Sequence, residues 1–332
     1  MNPNGVRNFR CAGLANVIPS TAISAVRFVV ALTFCFAFMF DLSGTLVLPA
    51  LAGGNSAVRV LQFPAKQSIG VLRINRSKGN TIQAKGRIEV PANANIELRL
   101  AYEAAHDLSP LKDLPPDGIQ RLVLASLEVE DDQLKYIENL TGLEDIDVEE
   151  TEIGDAGLRW LHKLTKLKNL RLKSTLVTGK GLVYLKPLVS LRNLSLSSNS
   201  IGDAGLENIV GLKNLKVLSL TRCQITDRGL QQIASLTQLE KLELEFNKIT
   251  DSGIASLVGL KNLRELFLSD NLMTGNCIKY LKQLSNLEKL IYSSKNFKPN
   301  DVARLKAALP HCHVEEYLKD RNVQLDLFEP LH

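Results

Sequence analysis

Residues 212–235 read LKNLKVLSLTRCQITDRGLQQIAS, and the spacing of their apolar side chains decides the fold. With Leu212 as position 1, apolar residues fall at positions 4, 7, 9, 14, 19 and 22: Leu215, Leu218, Leu220, Ile225, Leu230 and Ile233. Two periods coexist in this unit. Leu218 and Leu220 are two apart and share one side of a short strand, whereas Leu230 and Ile233 are three apart, as on one face of a helical turn. A lone strand and a turn of helix cannot bury a core, so stacked copies are required.

Copies are present. Leu140, Leu164, Leu188, Leu212, Leu236, Leu260 and Leu284 recur every 24 residues, and all seven positions are apolar in all seven units. In a chain that is 45% apolar, chance does not produce that agreement. Upstream, Pro116 replaces the first leucine of a unit that keeps Ile119, Leu122, Leu124, Val129, Leu134 and Ile137, and Leu98 and Leu100 match positions 7 and 9 of a still earlier one. Turn chemistry agrees. Position 12 carries Asn199, Asn247 and Asn271, whose short side chains can hydrogen-bond the backbone leaving the strand. Thr226 and Thr250 are placed to cap the following helix, and Asp227 and Asp251 to favour its positive end.

The resulting pattern, LxxLxxLxLxxNxITDxGLxxL, resembles the leucine-rich-repeat family over about residues 116–307. Its Ile-Thr-Asp-x-Gly-Leu tail is similar to 24-residue bacterial repeats and to the recognition arms of F-box proteins. The resemblance implies an α/β fold: a right-handed solenoid, horseshoe or arc, with a parallel β-sheet on the concave face and short helices on the convex face. It further implies a module that binds a protein or peptide on the concave face. The alternative is a substrate-recognition adaptor for a modifying enzyme such as an F-box-type ubiquitin ligase, although no F-box-like helical segment is seen before the repeats.

Around residues 116–307 the chain divides into a 1–52 targeting segment, a 53–115 β cap and a 308–332 C-terminal cap and tail. Arg7, Arg10 and Arg27 precede the apolar run Phe28–Phe40, and Ala50-Leu51-Ala52 has the form a signal peptidase accepts. The run alone, at ~1.5 Å per residue, falls short of a ~30 Å hydrocarbon core. The segment reads either as a cleaved signal, which makes the repeats exported (periplasmic, cell-surface or secreted), or as a single-pass anchor that leaves them membrane-anchored. Gly86–Val90 and Ile96–Leu100, alternating around Pro91–Asn95, read as a β-hairpin. Val314 falls in the strand register, and residues 319–332 read as a loose tail.

The net charge of +5 is spread without a basic run, which argues against nucleic acid. Cys223, Cys277 and Cys312 are odd in number and widely spaced, so no disulfide framework is expected. His106, His162, His311, His313 and His332 have no Ser, Cys or carboxylate partner in the repeat geometry, so no catalytic residue is assigned. His311-Cys312-His313 alternates faces, and Gly179-Lys180-Gly181 lacks phosphate-loop spacing. No metal, cofactor or small-molecule substrate is expected.

With positions 7 and 9 inward, positions 6, 8 and 10 point to the concave face. The candidate partner-binding patch there is Ser219, Thr221, Glu243, Glu245, Phe246 and Phe267. Phe267 reads as an exposed aromatic anchor beside charge or as a cross-strand pair with Ile291. Asp145, Asp147, Glu149 and Glu150 adjoin Arg171 and Lys173, which reads as mutual neutralisation in preference to a cation or basic-peptide site. Tyr136, Trp160 and Tyr184, at position 21 of successive units, form a second row on the outer flank.

Overall fold

The structure is a computed structural model, and it describes residues 39–40, 46–47, 57–75 and 81–317. The chain divides into two compact units, Met1–Gly54 and Asn55–His332. In the first, β1 (Met39–Phe40) and β2 (Leu46–Val47) pair antiparallel, with Met39 opposite Val47. The signal or anchor reading of residues 1–52 otherwise lies outside the described residues. Among the described residues no helix is long and apolar enough to cross a membrane.

The second unit begins with β3 (Val58–Gln62), β4 (Gly70–Ile74), β5 (Thr81–Gln83), β6 (Arg87–Pro91) and β7 (Ile96–Leu100). The repeats supply β8 (Arg121–Val123), β9 (Asp145–Asp147), β10 (Asn169–Arg171), β11 (Asn193–Ser195) and β12 (Val217–Ser219). After these come β13 (Lys241–Glu243), β14 (Glu265–Phe267), β15 (Lys289–Tyr292) and β16 (His313–Glu316). All of these but β3 and β6 form an open twelve-stranded sheet in the order β16 back to β7, then β4 and β5. From β8 to β15 the pairing is parallel and in register, so the position-7 residues stand side by side, as in Leu194, Leu218, Leu242 and Leu266. Each crossover carries a short helix, among them Asp155–Leu158, Gly202–Leu206, Asp227–Ile233 and Asp251–Ser256. Leu218, Leu220, Ile225, Leu230 and Ile233 are fully buried. Each contributes about 1.5–3 kcal/mol relative to exposure, and stacking extends this core from unit to unit.

Two polar ladders hold the units in line. Asn247 Nδ2 donates to the Leu220 and Leu244 carbonyls at 2.8 and 2.9 Å, and its Oδ1 accepts from the Cys223 and Ile225 amides at 3.2 and 2.9 Å. Backbone groups buried between strands are thereby satisfied, as position 12 predicts. Thr226 and Thr250 cap their helices as expected, each hydroxyl accepting from an amide two residues on. The aspartates do something the sequence does not announce. Asp227 accepts from the amide and hydroxyl of Thr250 in the next unit, at 2.8 and 2.6 Å, and Asp155, Asp203 and Asp251 do the same for Thr178, Thr226 and Thr274. They staple one unit to the next. Glycine at position 18 makes the room: a Cβ on Gly253 would come 2.3 Å from Asp227 Oδ1.

The N-terminal cap corrects the expected hairpin. Both segments are strands, but β6 pairs antiparallel with β3, and β7 pairs antiparallel with β4 and parallel with β8. Because Leu98 aligns with Leu122, β7 is already in the repeat register, and both its edges are taken. Ile88 and Val90 instead pack with Leu61 of β3, all without exposure. The buried Arg59 guanidinium donates to the Ala94 and Asp117 carbonyls at 2.7 and 2.6 Å, tying β3 to the first repeat. At the other end Val314 pairs with Leu290 as expected. Residues 319–332 lie outside the described residues.

Candidate functional site

Parallel register brings the six patch residues together on the concave side of β12–β14. Ser219, Glu243 and Phe267 are direct cross-strand neighbours, with Ile291 beyond Phe267. Ser219 Oγ donates to the Glu243 carboxylate, and Thr221 Oγ1 donates to Glu245 Oε2 at 2.7 Å. Lys241 Nζ lies 3.1 Å from Glu243 Oε1. The Lys241 and Lys289 ammonium groups stand 5.1 and 5.5 Å from the Phe267 ring centroid. Phe246 sits just past β13 with φ 56°, a left-handed turn position that aims its ring at the rim. Arg222 stacks over it at 3.9 Å, and Tyr317 meets it edge-on at 6.2 Å.

The expectation of an exposed Phe267 is corrected. Phe267 is 1% exposed, Ser219 1%, Glu243 3% and Glu245 2%, and only Thr221 and Phe246 are half-buried. Strands ~4.8 Å apart set Glu243 and Ile291 against the two sides of the ring, and the lysine stems run over it. The patch is a packed strip with a cationic rim. Burial raises the Glu245 carboxyl above the ordinary range, opposed by the Thr221 hydrogen bond.

Toward the N-terminal end, Asp145 is paired with Arg171 at 2.8 Å and approached by Arg121 at 3.9 Å, so neighbouring strands neutralise each other there as read. Glu149 departs from that rule. Burial, then the charge of Asp147, pushes its carboxyl up to about 7, against the pull of Lys173 and Arg171. Among the described residues no group of three His, Cys, Asp or Glu side chains is placed to hold a metal ion. Cys223 and Cys277 are buried and their thiols pushed up to about 12, mainly by burial, which makes them packing residues.

Tyr136, Trp160 and Tyr184 fall on the helical side, away from the strip. Lys135 and Arg159 stack on Tyr136 and Trp160 at 5.0 and 4.7 Å. Trp160, Val183, Tyr184 and Pro187 line a shallow cleft of about 420 Å³. Sequence reasoning missed a second cleft of about 560 Å³, where Lys166, Lys168, Arg192 and Lys216 from successive units converge beside Glu144. Lys168, Arg192 and Lys216 are each 24 residues apart in sequence, and only the repeat register brings them into line.

A family profile described as leucine rich repeat matches residues 189–249, the stretch that carries β11, β12 and β13. The chain is a leucine-rich-repeat protein. Among solved structures, the leucine-rich-repeat chain is similar to internalin C2 of Listeria monocytogenes, with a TM-score of 0.53 and 25% identity over 64% of this chain and 92% of that one. An internalin F of the same organism aligns at TM-score 0.38 and 18% identity, over 64% and 80% of the two chains. The leucine-rich-repeat ectodomain of a membrane receptor kinase from Arabidopsis thaliana aligns at TM-score 0.44 and 20% identity, over 60% of this chain and 27% of that one. No curated protein matches the chain.

Proposed function

We propose that this leucine-rich-repeat sheet is a non-catalytic interaction module that takes a protein or peptide on the concave strip of Ser219, Thr221, Glu243, Glu245, Phe246 and Phe267. The observation that carries the reading is the strip itself. Ser219 and Thr221 each donate to one oxygen of a strip carboxylate and Lys241 pairs with the other oxygen of Glu243, while Arg222, Lys241 and Lys289 frame two aromatic rings. Aromatic and cationic groups concentrated at the centre of a surface are what binding energy usually rests on. The cationic rim favours an extended segment with acidic side chains. The N-terminal run and the small-residue motif Ala50-Leu51-Ala52 support an exported or membrane-anchored setting.

Peptide selection on the full chain tests this, with Phe246→Ala, Phe267→Ala and Glu243→Lys compared against Trp160→Ala. Selected peptides are expected to lose at least tenfold in affinity with the first three and to be unaffected by Trp160→Ala. Loss with Trp160→Ala alone overturns the assignment and moves the site to the outer flank.

A further inference from the structure

We propose that the cleft around Arg192 binds a phosphate group carried on a polar, hydroxyl-bearing molecule, at a site that shares no residue with the concave strip. Position 5 of each unit immediately precedes the strand, and the backbone stacks these positions in one row. The amides of Lys168, Arg192, Lys216, Glu240, Arg264 and Glu288 each donate to the carbonyl of the equivalent residue one unit earlier, at 2.7–2.8 Å, starting from Glu144. Neighbours in the row therefore stand ~4.8 Å apart along the backbone. Their charges pair two by two. Lys168 Nζ lies 2.8 Å from Glu144 and Lys216 Nζ 2.6 Å from Glu240, and Arg264 pairs with Glu288. Arg192 is left over: it stands between Lys168 and Lys216, each paired with the carboxylate on its far side. It is exposed, and among the described residues its guanidinium has no ion pair or hydrogen bond.

The surplus charge lies in a concavity. Lys166, Lys168, Arg192 and Lys216, with Ser190 and Gln238, line the cleft of about 560 Å³, and Glu144 is the only carboxylate among the described lining residues. Lys166 also has no ion pair among the described residues. Like charges on neighbouring strands repel, and a cleft lined by one sign of charge concentrates its field on a counter-ion. The number of cations selects the anion. A carboxylate brings one charge and two oxygens, which a single guanidinium fork already occupies. A phosphate monoester carries a charge of about −1.5 to −2 and three acceptor oxygens, so it can meet the Arg192 fork and a lysine on either side together. The cleft holds far more than a phosphate, and no described lining residue is aromatic or apolar. The remainder of the ligand is therefore polar. Ser190 and Gln238, whose side chains make no hydrogen bond among the described residues, are placed to serve its hydroxyl groups.

Calorimetric titration of the full chain at low ionic strength, with glucose 6-phosphate, glucose, glucuronate and inorganic phosphate as probes, decides the matter. The phosphate ester is expected to bind, glucose to give no heat, and glucuronate and inorganic phosphate to bind at least tenfold more weakly than the ester. Arg192→Ala is expected to lose at least tenfold in affinity for the ester, and Arg192→Lys to keep only part of it because the fork is gone. Arg264→Ala, at the same repeat position but paired with Glu288, is expected to bind as the parent does. Arg192 is exposed, so its variants are expected to melt with the parent, which separates lost binding from lost folding. Equal losses at Arg192 and Arg264 overturn the proposal in favour of a diffuse field. Glucuronate or inorganic phosphate binding as tightly as the ester overturns it too, as does an ester that gives no heat. Loss with Phe246→Ala and not with Arg192→Ala overturns it by moving the ligand to the concave strip.

Discussion

Glu149 and Asp227 show how a single carboxylate acquires opposite behaviour within one repeat geometry. Burial and the adjacent Asp147 raise Glu149 from an ordinary 4.5 to about 7. Its folded value exceeds its unfolded one, so its contribution to stability is full below about pH 4.5 and is lost as pH rises toward about 7. Glu149→Gln is therefore expected to melt close to the parent at pH 5 and above it at pH 8, with Asp147, Glu150, Arg171 and Lys173 facing the site unchanged. A melting difference that is the same at both pH values sinks this account. At Asp227 burial pushes upward, but the Ser252 and Thr250 hydrogen bonds prevail and hold the carboxyl below its usual range. That contribution is present above the unfolded value and disappears as pH falls through the folded one. Asp227→Ala is expected to cost about 1.5–3 kcal/mol in urea unfolding at pH 7, the range for hydrogen bonds to a charged group, and Asp227→Asn less. A loss below about 0.5 kcal/mol, the usual scatter of surface substitutions, denies the staple.

At the scale of the element, the staple accounts for glycine at 253, where the carboxylate of Asp227 fills the space a side chain would take, although the equivalent place in the next unit holds Cys277. An alanine at Gly253 would set its Cβ 2.3 Å from Asp227 Oδ1 and 3.0 Å from Ile249 Cγ2, whereas at Gly211 and Gly259 nothing lies within 4 Å. Gly253→Ala is expected to lose about 1–3 kcal/mol by overpacking, and Gly211→Ala and Gly259→Ala to stay within about 0.5 kcal/mol. Equal effects at the three positions contradict the steric argument. The repeat strands were legible in the sequence because two leucines spaced by two recur beside two spaced by three, a signature that survives without any knowledge of neighbours. β3, β4 and β5 were not, and β6 and β7 were assigned to each other. Alternation identifies a strand but not its partner, and β7 was claimed by β8 through Leu98 and Leu122.

For the whole molecule, a stack in which each unit touches mainly its neighbours should tolerate the loss of one complete unit. Deleting residues 212–235 sets the Leu188 unit against the Leu236 unit, so Asp203 meets Thr250 in place of Thr226 and Ser195 lies beside Glu243. The shortened chain is expected to unfold cooperatively in urea at a lower midpoint, with the strand signal of the parent in circular dichroism. Deleting 212–223 breaks the register and is expected to abolish the transition. If both deletions behave alike, the repeat is not the folding unit.

The sequence by itself determined the period, the strand and turn in each unit, the side of the strand that enters the core, and the asparagine ladder. All of these rest on residues within one repeat or on identical residues one repeat away. Tertiary structure alone decided that Asp227 serves the next unit, that Glu149 sits near neutrality, and that Phe267 lies covered on a face where alternation had placed it in the open. Burial and electrostatic potential are sums over every group nearby in space, and at Phe267 those groups come from Lys241, Glu243, Lys289 and Ile291 on the two flanking strands.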